Sequence, residues 1–117
     1  MARIEKINQA VKEEISNILQ KDVKDPRLEF VTITEVVVSR DLQHAKVFFS
    51  VLNSVKNIHE VQEGLNSARG YVRKLIGKRV RMRYTPEVDF VYDSSVEYGM
   101  RIEETIERIK NELRESP

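Results

Sequence analysis

The residues of this chain best suited to chemistry are cationic and lie together. The stretch SARGYVRKLIGKRVRMRY, residues 67–84, holds seven arginines and lysines and no acidic residue, although the formal net charge of the 117-residue chain is only +1. Like charges at helical spacing repel each other, so an ordinary solvated face carries both signs. The one-signed stretch therefore predicts contact with a polyanion, and nucleic acid is the natural candidate. The alternative is a solvated helix face without a partner.

The candidate phosphate ligands are the cations of this stretch. Arg69 and Arg73 are the strongest candidates, because their spacing places them on one helix face, away from the apolar stripe. Arg79, Arg81 and Arg83 alternate with apolar residues, which is typical of an extended chain and continues the positive surface. The full predicted set is Arg69, Arg73, Lys74, Lys78, Arg79, Arg81 and Arg83. Two tyrosines of the same stretch, Tyr71 and Tyr84, add rings on which bases could stack.

Gly70 interrupts the helical pattern inside this stretch. Glycine costs about 1 kcal/mol relative to alanine in a helix interior, so its presence needs a reason. We expect a bend at Gly70, where two helical segments meet and the small Ala68 lets the backbone turn while Arg69 stays exposed. The alternative is a glycine that allows close packing against a sheet.

Two polar turns supply weaker candidates. Asp25-Pro26-Arg27 is explained first as a turn that redirects the chain from helix into strand, with Arg27 and Lys24 as secondary phosphate ligands. Ser39-Arg40-Asp41 is expected to shape a hairpin turn, with Arg40 a minor candidate for RNA contact.

Other kinds of site have little support in the sequence. Asp89 and Asp93 would share a strand face and invite a metal or acid–base interpretation, but no converging ligands accompany them, and we expect them to neutralise the neighbouring arginines. The chain has no cysteine, and its two histidines, His44 and His59, lack a partner at metal spacing. Walker, Rossmann and nucleophile-elbow glycine patterns do not occur. We expect no metal, no cofactor, no small-molecule substrate and no enzyme activity.

Hydrophobic periodicity predicts the elements that position these residues. Apolar residues at helical spacing indicate helices, and runs of β-branched residues indicate strands. Asn57 with Glu60, and Ser94 with Glu97, have the spacing of capping boxes at helix starts. The predicted elements are a helix at 3–21, strands at 30–39 and 44–52, a helix from Asn57 to Gly77, a strand at about 87–92 and a last helix ending near residue 114.

Length and composition predict one domain, 1–117, with an ordered core of about 3–114. No apolar run approaches the ~18 residues of a membrane span, and the first residues lack the apolar stretch of a signal peptide. We expect a cytoplasmic protein without membrane contact. Because the chain has no long apolar heptad pattern, we also expect a monomer.

Three stretches carry a resemblance to a known family. They are VKDPRLEFVTITEVVVSRDLQHAKVFFSVL (23–52), the Ala68-Arg69-Gly70 element with its basic continuation, and RYTPEVDFVYDSSVEYGMRIEETI (83–106). In their order and spacing, the chain resembles bacterial ribosome-binding factor A from about Arg3 to Leu113. The resemblance implies an α+β, type II KH-like domain of order α-β-β-α-kink-α-β, with a three-stranded sheet and a C-terminal helix. In this family the helix-kink-helix carries Ala-x-Gly in place of a Gly-x-x-Gly loop.

The resemblance implies a ribosome assembly factor and not an enzyme. Family members bind the free small (30S) ribosomal subunit through its 16S rRNA, assist late maturation, including processing of the 16S rRNA 5′ end, and matter most in the cold. A Gly-x-x-Gly loop clamps about four nucleotides of a single strand, and none occurs here, because Gly64, Gly70 and Gly77 are six and seven residues apart. We therefore expect recognition of folded rRNA by charge and shape.

Two other functions fit the same basic face. A general RNA-binding regulator would bind isolated oligonucleotides as well as it binds subunits, and a protein-interaction adaptor would dock an acidic protein. A pull-down from nuclease-treated and untreated lysate separates RNA from protein partners, because nuclease removes only a partner that depends on RNA.

Overall fold

A computed structural model describes residues 3–52, 57–95, 106 and 108–111. Within these residues the helices and strands are α1 (Arg3–Asn17), β1 (Val31–Val38), β2 (His44–Val51), α2 (Ile58–Arg79) and β3 (Glu87–Tyr92). This order confirms the predicted one from the first helix to the third strand. Residues 106 and 108–111 are helical, but most of the predicted last helix, with its capping residue Glu97, lies outside the described residues.

The first helix forms because its apolar residues recur at helical spacing. Val11 and Ile15 are fully buried, and Ile4 and Ile7 pack against the same core from the first turns. After Asn17 the chain makes a π turn, Ile18–Asp22, which closes with the N–H of Val23 donating to the carbonyl of Ile18 at 2.9 Å. The predicted helix end at residue 21 therefore lies within this turn.

The strands form one sheet in the order β1-β2-β3, with β2 in the centre. β1 and β2 are antiparallel, as a hairpin requires, whereas β2 and β3 are parallel. Parallel neighbours cannot be joined by a tight turn and need a long crossover. The segment that contains α2 is this crossover, so the basic stretch is tied at both ends to the sheet.

A β-bulge at Thr34 determines which side chains of β1 face the core. The pairing register shifts between Ile33 and Glu35, and one extra residue reverses the alternation of faces. Ile33 and Val36 are consequently both buried although they are three residues apart. The Thr34 hydroxyl donates to the Asp93 carboxylate at 2.8 Å, which ties the bulge to the end of β3.

One apolar cluster lies between the helices and one face of the sheet. α1 and α2 each contribute one stripe, β2 contributes the fully buried Ala45, Val47 and Phe49, and no polar side chain among the described residues is buried. The α2 stripe consists of Val61, Leu65, Val72, Leu75 and Ile76. Full burial of each such side chain stabilises the fold by roughly 1.5–3 kcal/mol. The stripe therefore fixes the rotation of α2 about its axis and leaves the opposite face to the cations.

α2 is one uninterrupted α-helix through Gly70, where the pattern predicted two segments. A change in the direction of its axis at Gly70 stays a prediction. Close packing, the alternative, does not hold at this position, because a Cβ built there meets no described atom outside its own helix within 4 Å. Gly64 is the close-packed glycine, since a Cβ there would lie 3.1 Å from Leu28 Cδ2 and 3.3 Å from Arg27 Nε.

Replacing Gly70 by alanine should stabilise the protein. Alanine loses less conformational freedom in a helix and its Cβ has room, so Gly70→Ala is expected to raise the free energy of unfolding by about 0.5–1 kcal/mol. Gly64→Ala gains the same propensity but crowds Leu28 and Arg27, so it should be less stable than Gly70→Ala. Equilibrium urea unfolding measures both variants. Equal gains in the free energy of unfolding would contradict the close approach at Gly64. A lower free energy of unfolding for Gly70→Ala would contradict the space that the structure shows around residue 70.

Candidate nucleic-acid interface

The predicted cations fall on two adjoining surfaces. Arg69, Arg73, Lys74 and Lys78 are exposed on α2, because the buried stripe occupies its other side. After Arg79 the chain is no longer helical, and the predicted alternation holds from Arg81 to Arg83, because Met82 is half-buried between two exposed arginines. It is wrong at its two ends, since Arg79 still belongs to α2 and Tyr84 is exposed. We call six of these exposed cations the basic ridge: Arg69, Arg73, Lys74, Lys78, Arg81 and Arg83. The seventh predicted cation, Arg79, is left out of this set because it is bonded to Glu14 and Asp22.

The two parts of the basic ridge have different neighbours. Arg69 and Arg73 line a groove of about 250 Å³ between α2 and β3. Arg81 instead lines a groove with Arg3 and Lys6 of α1. These two N-terminal cations are not predicted by the sequence pattern, because only the fold brings the start of α1 to the end of α2. Glu13 and Glu14 line the same groove, so its charge is mixed.

Arg79 is paired with two carboxylates of the protein, and its predicted phosphate contact stays a prediction. Its Nη1 lies 2.8 Å from Asp22 Oδ2 and 3.2 Å from Glu14 Oε1, and its Nη2 donates to Asp22 Oδ1 at 3.2 Å. These bonds raise the pKa of Arg79 and hold the pKa of Asp22 below its ordinary value. The guanidinium therefore joins the end of α2 to α1 and the π turn. The partners are 65 and 57 residues away in sequence, which is why local spacing gave no sign of them.

Arg69 and Arg73 are held loosely at the edge of the β3 groove. Arg69 Nη1 lies 3.3 Å from Asp89 Oδ1, and the two side chains are 52% and 59% exposed. Arg73 Nη2 donates to the Thr85 carbonyl at 3.2 Å. Single contacts in solvent contribute little to stability, so a phosphate can compete for both guanidinium groups. Asp89 thus contacts Arg69 of α2, whereas the expected neutralisation concerned the row of Arg79, Arg81 and Arg83.

The remaining ridge cations have few or no partners within the protein. Among the described residues, no hydrogen bond or ion pair involves the side chains of Lys74, Lys78 or Arg81. The Arg83 guanidinium carbon lies 5.4 Å from the centre of the Tyr84 ring, in cation–π geometry. These side chains are therefore available to an anionic ligand.

The weaker candidates divide between structure and surface. The Arg27 guanidinium binds the Asp25 carboxylate, with Nη2 to Oδ2 at 2.7 Å, and this pair raises the pKa of Arg27. Asp25 also caps the Pro26–Leu28 turn by accepting from the N–H of Arg27 at 3.0 Å. The interpretation of this motif as a turn is confirmed. Lys24, its other candidate, is exposed.

The β1–β2 turn is built by side-chain hydrogen bonds around Arg40. The Ser39 hydroxyl donates to Asp41 Oδ1 at 2.6 Å and accepts from the N–H of His44 at 3.1 Å. The bond from Ser39 lowers the pKa of Asp41. These bonds confirm that Ser39 and Asp41 shape the turn, as expected. Arg40 itself is exposed at the turn.

The two carboxylates that invited a metal interpretation do not converge. Asp89 faces Arg69 from β3, whereas Asp93 follows the end of the strand and accepts from the hydroxyl of Thr34 and the N–H of Ser95. Hydrogen bonds from Ser95 and Thr34 lower the pKa of Asp93. β3 ends at Tyr92, so Asp93 lies just beyond the strand that contains Asp89, and a shared face stays a prediction. In the described part of the chain, no cluster of three potential metal ligands is found, and no helix is long and apolar enough to span a membrane.

Comparison with known proteins assigns the family. The family model of ribosome-binding factor A matches residues 3–106. The chain belongs to the ribosome-binding factor A family. The ribosome-binding factor A of Halothermothrix orenii is 50% identical over 110 residues, which cover 94% of this chain and 90% of that relative.

Solved structures of ribosome-binding factor A share the fold. The crystal structure of the Thermus thermophilus protein matches with a TM-score of 0.70 over 78% of this chain and 97% of that chain, at 22% identity. A homology model of a Thermus thermophilus ribosome-binding factor A, fitted into an electron cryo-microscopy map of a 30S complex, matches with a TM-score of 0.62 at 23% identity, over 81% of this chain and 97% of that one. The predicted α+β, KH-like fold is confirmed by these likenesses and by the three-stranded sheet.

The contacts of Arg79 predict a pH-dependent loss of stability in Arg79→Gln. Pairing lowers the pKa of Asp22 below its ordinary 3.8, so its stabilising contribution is present above that value and disappears as the pH falls through the lowered pKa. Arg79→Gln should reduce Tm near neutral pH, and its difference from the parent protein should shrink below about pH 4. Circular dichroism melts at several pH values measure this.

Arg81→Gln is the matched control, because it removes an exposed arginine without a partner among the described residues. Its Tm should stay close to that of the parent protein. An equal loss in both variants, or a difference for Arg79→Gln that does not change with pH, would contradict the structural role of Arg79.

Proposed function

We propose that this chain binds the free 30S ribosomal subunit through phosphates of its 16S rRNA, using the basic ridge. The observation that carries the proposal is the state of Lys74, Lys78 and Arg81, which are exposed, of one sign and without partners among the described residues. Family membership supports a ribosome-binding role, and the Thermus thermophilus relative fitted into a 30S complex supports the small subunit as the partner.

The proposed mode of recognition is contact by side chains with the backbone of folded rRNA. An uninterrupted α2 offers no loop whose N–H groups could clamp a single strand, and the chain lacks Gly-x-x-Gly. Long cationic side chains on a rigid helix can instead follow phosphates across a folded surface. A bend at Ala68 and Gly70, which would adjust this surface, belongs to the same proposal.

We propose the corresponding biological role. The chain acts in the cytoplasm as an assembly factor, as a single domain and a monomer, and assists late maturation of the subunit. Processing of the 16S rRNA 5′ end and growth in the cold are the steps that depend on it. The role is one of binding and not of catalysis.

Charge reversal on the basic ridge should strongly weaken subunit binding. The variant Arg73→Glu/Lys78→Glu replaces two phosphate contacts by repulsion, so affinity for 30S should fall by about 10- to 100-fold or more. Co-sedimentation with purified 30S subunits measures this loss, and circular dichroism checks that the fold is kept.

The matched control is Lys12→Glu/Lys46→Glu, which changes the net charge by the same amount. Lys12 lies beside β1, and Lys46 is exposed on β2 between buried neighbours, so it faces away from the helices. This control should keep most of its binding. Equal losses of binding in both variants would show that the effect comes from net charge alone. Unchanged binding in the ridge variant would exclude the basic ridge as the surface that binds 30S.

Binding should also depend steeply on salt. If about five ridge cations meet phosphates, the affinity for 30S should fall on the order of 10²- to 10³-fold between roughly 50 and 200 mM monovalent salt. Sedimentation with 30S, with large subunits and with joined ribosomes, at each salt concentration, separates specific from general RNA binding. A flat salt dependence contradicts phosphate contact, and equal migration with all three particles favours a general RNA-binding protein.

A further inference from the structure

A second cationic site lies where three segments distant in sequence meet. The first turns of α1, the β1–β2 turn and the segment after α2 enclose an open cleft of about 660 Å³, which is within the range of small-ligand sites. Three arginines, Arg3, Arg40 and Arg83, line it together with Tyr84. This cleft is separate from the groove between α2 and β3.

The apolar side of the cleft offers a surface for a planar ring. Tyr84 is 45% exposed, and the neighbouring wall is formed by the half-buried Ile4, Ile7 and Leu42. Arg83 lies over the Tyr84 ring, 5.4 Å from its centre, and places a second flat group beside it. Aromatic rings and guanidinium planes are the groups on which proteins stack unpaired bases.

The polar side of the cleft suits an anion. The side chains of Arg3 and Arg40 make no hydrogen bond or ion pair with other described residues. Asp41 is the acidic residue in the lining, and its carboxylate already accepts from the Ser39 hydroxyl and from the N–H of Gln43, at 2.6 and 3.1 Å. The lining contains three guanidinium groups and one carboxylate, which is already hydrogen-bonded within the turn, so it keeps an excess of positive charge.

The backbone of the β1–β2 turn is strained beside the cleft. Leu42 has a φ of 63°, the one positive φ among the described residues, glycines included. A leucine resists this left-handed conformation, which glycine or asparagine adopts more readily. Bonds around Ser39 and Asp41 hold the turn, and the N–H of Leu42 donates to the Ser39 carbonyl at 2.9 Å. Such outliers cluster at functional sites, and here the strained residue contributes its side chain to the apolar wall.

We propose that this cleft binds one unpaired nucleotide of an RNA strand, with its base stacked on Tyr84 and its phosphate held by Arg3 and Arg40. The combination of stacking surface and guanidinium groups distinguishes a nucleotide from a simple anion. Arg83 belongs to both the cleft and the basic ridge, so a strand whose phosphates follow the ridge can reach the cleft with a neighbouring nucleotide. The inference goes beyond 30S binding by charge and shape, because it assigns a stacking site away from α2.

Titration of the isotope-labelled protein with two RNA hairpins tests the proposal. The hairpins have the same stem, and only one carries a single bulged nucleotide. The bulged hairpin should bind about 10-fold more tightly and shift the amide signals of Arg40, Leu42 and Tyr84, because base stacking adds to the phosphate contacts. Equal affinity for the two hairpins would overturn the proposal.

Two further ligands identify the source and chemistry of the bound group. Uridine monophosphate and inorganic phosphate are titrated under the same conditions, and each is expected to bind more weakly than the bulged hairpin. A mononucleotide that binds as tightly as this hairpin would make the cleft a site for free nucleotides, and phosphate that reproduces the same shifts and affinity would make it an anion site. Either result overturns the proposal.

Substitutions locate the effect. Tyr84→Leu should remove the roughly 10-fold preference for the bulged hairpin. Tyr71→Leu tests the other predicted stacking ring, which is 46% exposed on α2 and lies outside the cleft lining, and the preference should depend on Tyr84 more than on Tyr71. Arg40→Gln, at an exposed turn position, should weaken binding of the bulged hairpin without affecting the fold. A loss in Tyr71→Leu equal to that in Tyr84→Leu, or full preference in both cleft variants, would overturn the proposal.

The proposals for the cleft and for the basic ridge can fail independently. Arg73→Glu/Lys78→Glu should weaken both hairpins and keep the preference for the bulged one. Loss of 30S binding in this variant supports the basic ridge, whatever the hairpins show. A preference for the bulged hairpin that disappears in the ridge variant but persists in Tyr84→Leu would place the nucleotide on α2 and overturn the inference.

Discussion

Burial of one face of α2 against the sheet determines what the rest of the molecule can present. The helix lies in the crossover between two parallel strands, so the chain returns to the sheet after it. Its apolar stripe packs with Phe49, Val88 and Phe90 in the same cluster. Rotation by one residue, about 100°, would move that stripe into water and bring arginine towards the core. The outward direction of the α2 cations is thus a consequence of core packing.

Contacts with carboxylates distinguish the arginines that stabilise the fold from those that remain available to a ligand. Arg27 and Arg79 each make two or more hydrogen bonds to carboxylates. The partners of Arg79 are Glu14 of α1 and Asp22 of the π turn. Arg69 has one contact at 3.3 Å, and Lys74 and Lys78 have none among the described residues. A count of positive charges along residues 67–84 cannot make this distinction. It depends on where α1, the π turn and β3 place Glu14, Asp22 and Asp89.

Local periodicity was enough to predict the elements, because each strand and helix of the described residues has one apolar side and one polar side. Strand ends agreed within a residue for β1 and β2, and α2 extended two residues past the predicted Gly77. Features that depend on pairing between distant segments were missed. The bulge at Thr34 requires the partner strand, the contacts of Arg79 require partners more than fifty residues away, and the cleft around Tyr84 requires three segments.

Gly70 shows how stability and surface shape can favour different residues at one position. Its φ is not positive and a Cβ would meet no described atom beyond its own helix, so neither backbone conformation nor packing requires glycine. The position lines the groove between α2 and β3, next to Arg69 and Arg73. A methyl group there would keep every charge in place but would cover the backbone between the two guanidinium groups. If charge alone governed binding, alanine would serve equally well and give a more stable helix. The proposed bend of α2 at this position, which would change the shape of the basic ridge and not its charge, would account for glycine here.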